Sequence, residues 1–84
     1  MLGSEIAELA KTQLMQLTGF EYDTLSGLRH EADGWHITVE LVELKRIPPS
    51  ADILGSYDVV TDAEGQLLSY QRARRYCRSE LVGV

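Results

Sequence analysis

Cysteine, proline, basic charge and long apolar runs are all scarce in this chain. The single cysteine, Cys77, excludes an intrachain disulfide and any zinc cluster built on several thiolates, and it agrees with a reducing compartment. No stretch approaches the roughly 18 apolar residues that a membrane-spanning helix needs. The opening residues, MLGSEIAEL, have neither a basic flank nor an apolar core, so they are not expected to be a secretory signal. The glycines are scattered through turns, without the spacing of a phosphate-binding loop. What remains is 44% hydrophobic and 25% charged, which describes a folded protein rather than a disordered one. Eighty-four residues make one small domain, 1–84, whose thin core buries about 60–65% of the unfolded surface.

Charge is unevenly placed. Residues 1–64 hold 12 acids against Lys11, Arg29, Lys45 and Arg46, a net of −8. Residues 65–84 hold four arginines against Glu80, a net of +3, and the sum is −5. Phosphate neutralisation supplies most nucleic-acid affinity, and the acidic body opposes it within a Debye length of about 8–10 Å. The polarity fits a protein partner better.

The chain reads as α+β, one N-terminal helix packed on a four-stranded antiparallel sheet in the order α-β-β-β-β. Ile6, Leu9, Ala10, Leu14 and Leu17 recur at intervals of three and four, which predicts a helix over residues 4–18 with Ser4 as its cap. Glu5 and Glu8 favour the positive end of its dipole, and Gly19 marks its end. Asp33-Gly34 predicts a hairpin turn within residues 25–44. After it, Trp35, Ile37, Val39 and Leu41 alternate with His36, Thr38 and Glu40, the pattern of a half-buried strand. The phase slips at Val42 and Leu44, which predicts a bulge near Leu41–Val42, and Gly27 suggests another in the preceding strand. Pro48 and Pro49 end that hairpin. A second hairpin follows over residues 53–76, turning at Asp62–Gly65, with a short C-terminal tail after it. The helix is expected to lay Ile6, Leu9, Leu14 and Leu17 on Trp35, Ile37 and Val39.

Little suggests catalysis. His30 and His36 flank a turn and could approach each other, yet two histidines without a third ligand make a poor metal site. Cys77 lies among arginines but has no resolving partner. No nucleophile–base pair or cofactor site is recognisable, so neither enzyme activity nor a bound cofactor or metal is expected. The unusual stretch is LLSYQRARRYCRSEL, residues 67–81. A helix would place Tyr70, Ala73, Cys77 and Leu81 on one stripe. The upstream turn favours a strand instead, with Leu68, Tyr70, Arg72, Arg74 and Tyr76 on one face. Three readings are open for that face. It is a docking surface for a protein partner, using Tyr70, Arg72, Arg74 and Tyr76. Alternatively, its arginines pair internally with acids such as Asp58, or it stacks nucleic-acid bases. An outward face would let Arg72 and Arg74 both be replaced without loss of stability. A peptide or small molecule held between helix and sheet is a further possibility.

Residues 34–76, GWHITVELVELKRIPPSADILGSYDVVTDAEGQLLSYQRARRY, resemble the gas vesicle protein O family. The shared pattern runs through Gly34, Trp35, Val39, Glu40, Glu43, Arg46 and Pro48, then Asp52, Leu54, Tyr57, Val59, Asp62, Gly65, Leu67, Tyr70, Arg72, Arg75 and Tyr76. The resemblance implies a cytoplasmic, non-catalytic assembly factor for gas vesicles. It also implies contacts with other gas vesicle proteins, the AAA-type ATPase of the gene cluster being a candidate. Members commonly carry a long charged N-terminal extension, which is not part of these 84 residues.

Overall fold

In a computed structural model, which describes residues 2–79, helix α1 (Gly3–Thr18) precedes four strands. These are β1 (Glu21–Glu31), β2 (Gly34–Leu44), β3 (Ile53–Thr61) and β4 (Leu67–Cys77), with one short 3-10 turn at Pro49–Ala51. The strands pair antiparallel in the order β1-β2-β3-β4, so β1 and β4 are the edges. The expected α-β-β-β-β architecture is the observed one. No helix among the described residues is long and apolar enough to cross a membrane.

The helix begins one residue earlier than its periodicity suggests, and Ser4 does not cap it. Leu2 occupies the cap position without a side-chain bond, and its carbonyl oxygen accepts the N–H groups of Glu5 and Ile6 at 3.0 and 3.1 Å. The other end closes as expected: Gly19 takes φ 77° and donates to the Met15 carbonyl, a conformation that costs glycine least.

Only part of the expected helix stripe is core. Ile6, Ala10 and Leu14 are fully buried, whereas Leu9 is 40% and Leu17 59% exposed. Burial stops at Leu14. Beneath the stripe lie Ile37, Val39 and Leu41 of β2 and Tyr57 and Val59 of β3. Trp35, Leu25 and Leu67 are half-buried at its margins. Leu9 serves elsewhere, because it and Ile6 pack on Gly65, where an added Cβ would lie 2.9 Å from Leu9 Cδ1. Gln13 completes this seat. Its Nε2 donates to the Gly65 carbonyl at 2.8 Å, and its Oε1 accepts the Leu67 N–H at 3.0 Å.

The turns depart slightly from the sequence reading. The first loop consists of Ala32 and Asp33, both at negative φ, and Gly34 opens β2 at φ 134°. In the second, Asp62 Oδ1 accepts the N–H groups of Glu64 and Gln66, the local bonding that favours short acids in turns. Strand β1 starts at Glu21, four residues before the expected Leu25. Register shifts at Asp23 and Ser26 break its alternation, and that hides the strand in the sequence. The shift beside Gly27 is the one expected there. The slip in β2 falls at Glu43, between Val42 and Leu44, two residues beyond Leu41.

Candidate functional site

Strand β4 continues to Cys77, so the helical alternative for Tyr70–Cys77 does not hold. Its proposed continuation beyond Ser79 lies outside the described residues. The alternation within β4 is broken twice. Leu68 and Ala73 have no partner in the register with β3, whose Ser56 and Tyr57 pair with Arg74 and Arg72. Each bulge shifts the phase by one residue. Tyr70, Arg72 and Arg75 therefore stand beside Val59, Tyr57 and Gly55, on the helix-facing side of the sheet. Ser69, Gln71, Arg74 and Tyr76 stand beside Val60, Asp58, Ser56 and Leu54, on the other side.

The single face expected for Tyr70, Arg72, Arg74 and Tyr76 is therefore corrected: the bulge at Ala73 divides them into two pairs. Nor is Tyr76 outward. It is 7% exposed, and its hydroxyl donates to Glu40 Oε1 at 2.6 Å. Tyr70 stays 40% exposed, tilted against Tyr57 with ring centroids 6.4 Å apart. Leu68 is 58% exposed. The guanidinium of Arg74 lies 4.6 Å over the Tyr76 ring, a cation–π contact.

Internal pairing occurs, though not with Asp58. Arg72 Nη1 and Arg75 Nε sit 3.0 and 3.1 Å from Glu43 Oε1, and Tyr57 donates to Glu43 Oε2 at 2.6 Å. The Glu43 side chain is 4% exposed, while Arg72 and Arg75 are 49% and 53% exposed. The carboxylate has room because residue 55, beneath it, is glycine: an added Cβ would lie 2.1 Å from Glu43 Oε2. Arg72 engages Glu43 through Nη1 and Arg75 through Nε, so each guanidinium keeps other donors directed at solvent. Arg72 is thus paired rather than free, so replacing it removes one of the contacts of a nearly buried carboxylate, whereas the expectation for Arg72 and Arg74 together took both as unpaired. Arg74 has no carboxylate within ion-pair distance among the described residues.

A second carboxylate centre occupies the opposite face. Glu40, 7% exposed, accepts from Ser26 (2.6 Å), Ser56 (2.9 Å) and Tyr76 (2.6 Å), with Leu54 buried beside it. Three hydroxyl donors solvate the carboxylate where water is excluded. Burial, followed by the bond to its carboxylate, pushes the Tyr76 hydroxyl up to about 12, and the same causes act on Tyr57 beside Glu43. Neither centre was foreseen. The available signal was the spacing in VELVEL, which sends Glu40 and Glu43 to opposite faces of an apolar strand.

The histidines do not converge. His30 stacks on Trp35 at 4.4 Å on the helix side, and His36 bonds Asp33 at 2.9 Å on the other. That bond holds the Asp33 carboxyl below its ordinary range. Half-buried Cys77 ends β4, its Sγ 3.8 Å from the Ser50 carbonyl oxygen. Among the described residues, no three His, Cys, Asp or Glu side chains are set to hold a metal. A groove of about 370 Å³ follows α1 beside Lys11, Tyr22, Leu25 and Leu28. A shallow hollow of about 530 Å³ lies on the far sheet face, bordered by Arg29, His36, Thr38, Asp58 and Gln71.

Residues 3–81 match the family model described as gas vesicle synthesis protein GvpO. A gas vesicle protein O from Streptomyces sp. (strain CB03234) is 45% identical over 69 residues, covering 82% of this chain and 54% of the relative. One from Haloferax mediterranei is 32% identical over 73 residues, covering 86% and 52%. Gas vesicle protein O1 of Halobacterium salinarum is 26% identical over 72 residues, covering 86% and 60%. The chain thus spans little more than half the length of these relatives. No solved structure matches it.

Proposed function

Because this chain belongs to the gas vesicle synthesis protein GvpO family, we propose that it is a non-catalytic accessory factor that acts in gas vesicle formation through protein–protein contacts. The observation that carries this reading is β4. It is an edge strand with eight consecutive exposed residues, Leu68–Arg75. It bears Arg72, Arg74 and Arg75 and no acid, in a chain of net charge −5. Arginine and tyrosine are the side chains that most often anchor protein interfaces. Tyr70, Arg72, Arg74 and Arg75 would form the docking surface, with Leu68 at its rim. Tyr76 would take part from below, by supporting Arg74.

The partners are other gas vesicle proteins acting in the cytoplasm, and the AAA-type ATPase of the gene cluster is one candidate. Nucleic acid fits less well, because Tyr70 alone offers an exposed ring beside the arginines, where stacking surfaces use several. Retention on DNA or RNA with a steep salt dependence would reverse that preference.

Arg74→Glu is the cleanest test, since Arg74 is exposed and pairs with no carboxylate described. The variant should melt within a few degrees of the parent. It should fail to support vesicle formation in cells that carry the rest of the gene cluster, and it should lose its partner in a pull-down against the cluster's products. Arg74→Lys should retain part of both. Normal vesicles from folded Arg74→Glu would overturn the assignment of the docking surface to β4.

A further inference from the structure

We infer that β4 binds its partner by strand addition, taking an acidic extended segment of another protein as a fifth strand of the sheet. This inference rests on the docking reading above and specifies its mode and its partner chemistry. Outside the ladder with β3, no hydrogen bond among the described residues engages the backbone of Leu68–Tyr76. An edge strand in that state offers a row of donors and acceptors to an incoming chain.

The side chains select what can pair there. On the helix-facing side, the nearly buried Glu43 holds Arg72 and Arg75 by one nitrogen each, leaving other N–H donors of each guanidinium to receive carboxylates. On the other side Arg74 is held over Tyr76. An incoming strand with acids at alternate positions would therefore meet cations that are already oriented, and less side-chain freedom is lost on binding. Tyr70 adds an exposed aromatic surface on the same face as Arg72.

A second copy is a poorer occupant. Antiparallel β4–β4 pairing would set this arginine-rich segment against itself, and like charges opposite one another are destabilising. The β1 edge of another copy is acidic, but its acids are engaged within the chain. Glu21 pairs with Lys45 at 2.6 Å, Asp23 with Arg78 at 2.9 Å, and Glu31 with Arg29.

The probe is a peptide of about ten residues alternating threonine and glutamate, long enough to lie along most of β4. At low salt it should slow amide hydrogen exchange in Leu68–Arg75 and leave β1 unchanged. Its lysine counterpart should bind at least about tenfold more weakly. A version N-methylated at alternate amides, which keeps the charges but removes ladder donors, should lose the protection. Equal binding of the methylated peptide, or protection on β1 or nowhere, would overturn strand addition. Peptide-free protection of β4 that grows with protein concentration would assign the edge to a second copy and overturn it too. Loss of vesicles in Arg74→Glu without peptide protection of β4 would leave the docking reading standing while strand addition falls. Normal vesicles together with peptide protection would overturn the docking reading, and with it the partner role of β4, while showing that this edge accepts an acidic strand.

Discussion

Replacing Gly55 with alanine should disable one carboxylate centre without touching any charged residue. The new Cβ would lie 2.1 Å from Glu43 Oε2, 2.8 Å from its Cδ and 2.8 Å from Tyr57 Cε1. Ordinary contacts begin above about 3.4 Å, and the β2–β3 ladder prevents the backbone from yielding, so the carboxylate must swing out. Tyr57, itself 6% exposed, then loses the acceptor of its 2.6 Å bond, a loss of about 1.5–3 kcal/mol for a bond to a charged group. The half-exposed Arg72 and Arg75 add at most about 1 kcal/mol each. Against this, alanine lowers the unfolded-state entropy by about 0.4–1 kcal/mol. The net cost is about 0.5–4.5 kcal/mol, or roughly 2–35 °C in a domain of this size. Thermal unfolding followed by circular dichroism measures it. In a Glu43→Ala background the same substitution should cost much less, because the carboxylate is gone and the Tyr57 ring has space to tilt. An equal cost in both backgrounds, or a Tm within a degree of the parent, would refute the reasoning.

Other measurements address the rest of the fold. Tyr57 and Tyr76, pushed up to about 12 from 10, stay protonated in the folded state after the unfolded chain has begun to ionise. Their contribution, on the order of 2–3 kcal/mol each, is therefore complete below pH 10 and lost as pH rises towards 12. Urea unfolding at pH 8 and 11 should show that fall, and Tyr57→Phe with Tyr76→Phe should flatten it; four tyrosines ionising together near pH 10 in the folded protein would contradict it. Leu14→Ala should cost about 2–5 kcal/mol, while Leu17→Ala, at 59% exposure, should cost about 0.5 kcal/mol or less; comparable losses would mean that the helix is seated differently. Gln13→Ala should lower Tm by several degrees and speed amide exchange in the Asp62–Leu67 turn, because Gln13 ties α1 to Gly65 and Leu67; an unchanged turn would show that the helix does not hold it.

The amino-acid sequence by itself determined the order of elements, the two hairpins and the inward face of β2. Each is written in local patterns: a three-to-four apolar repeat before Gly19, the alternation from Trp35 to Leu41, and short acids beside glycine at the turns. It also carried enough of a family pattern to be recognised. The facing of β4 required tertiary structure, because the bulges at Leu68 and Ala73 arise from pairing with β3 and leave no local mark. A period of two therefore put on one face Tyr70 and Arg72, which lie on the helix side, and Arg74 and Tyr76, which do not. The extent of the core was likewise decided by docking: Leu17 belongs to the helical stripe, but burial along that stripe stops at Leu14. The roles of Glu40 and Glu43 emerged only when strands distant in sequence came together. A carboxylate can be buried only where donors converge on it, and here those donors are Ser26, Ser56 and Tyr76 for one, Tyr57, Arg72 and Arg75 for the other.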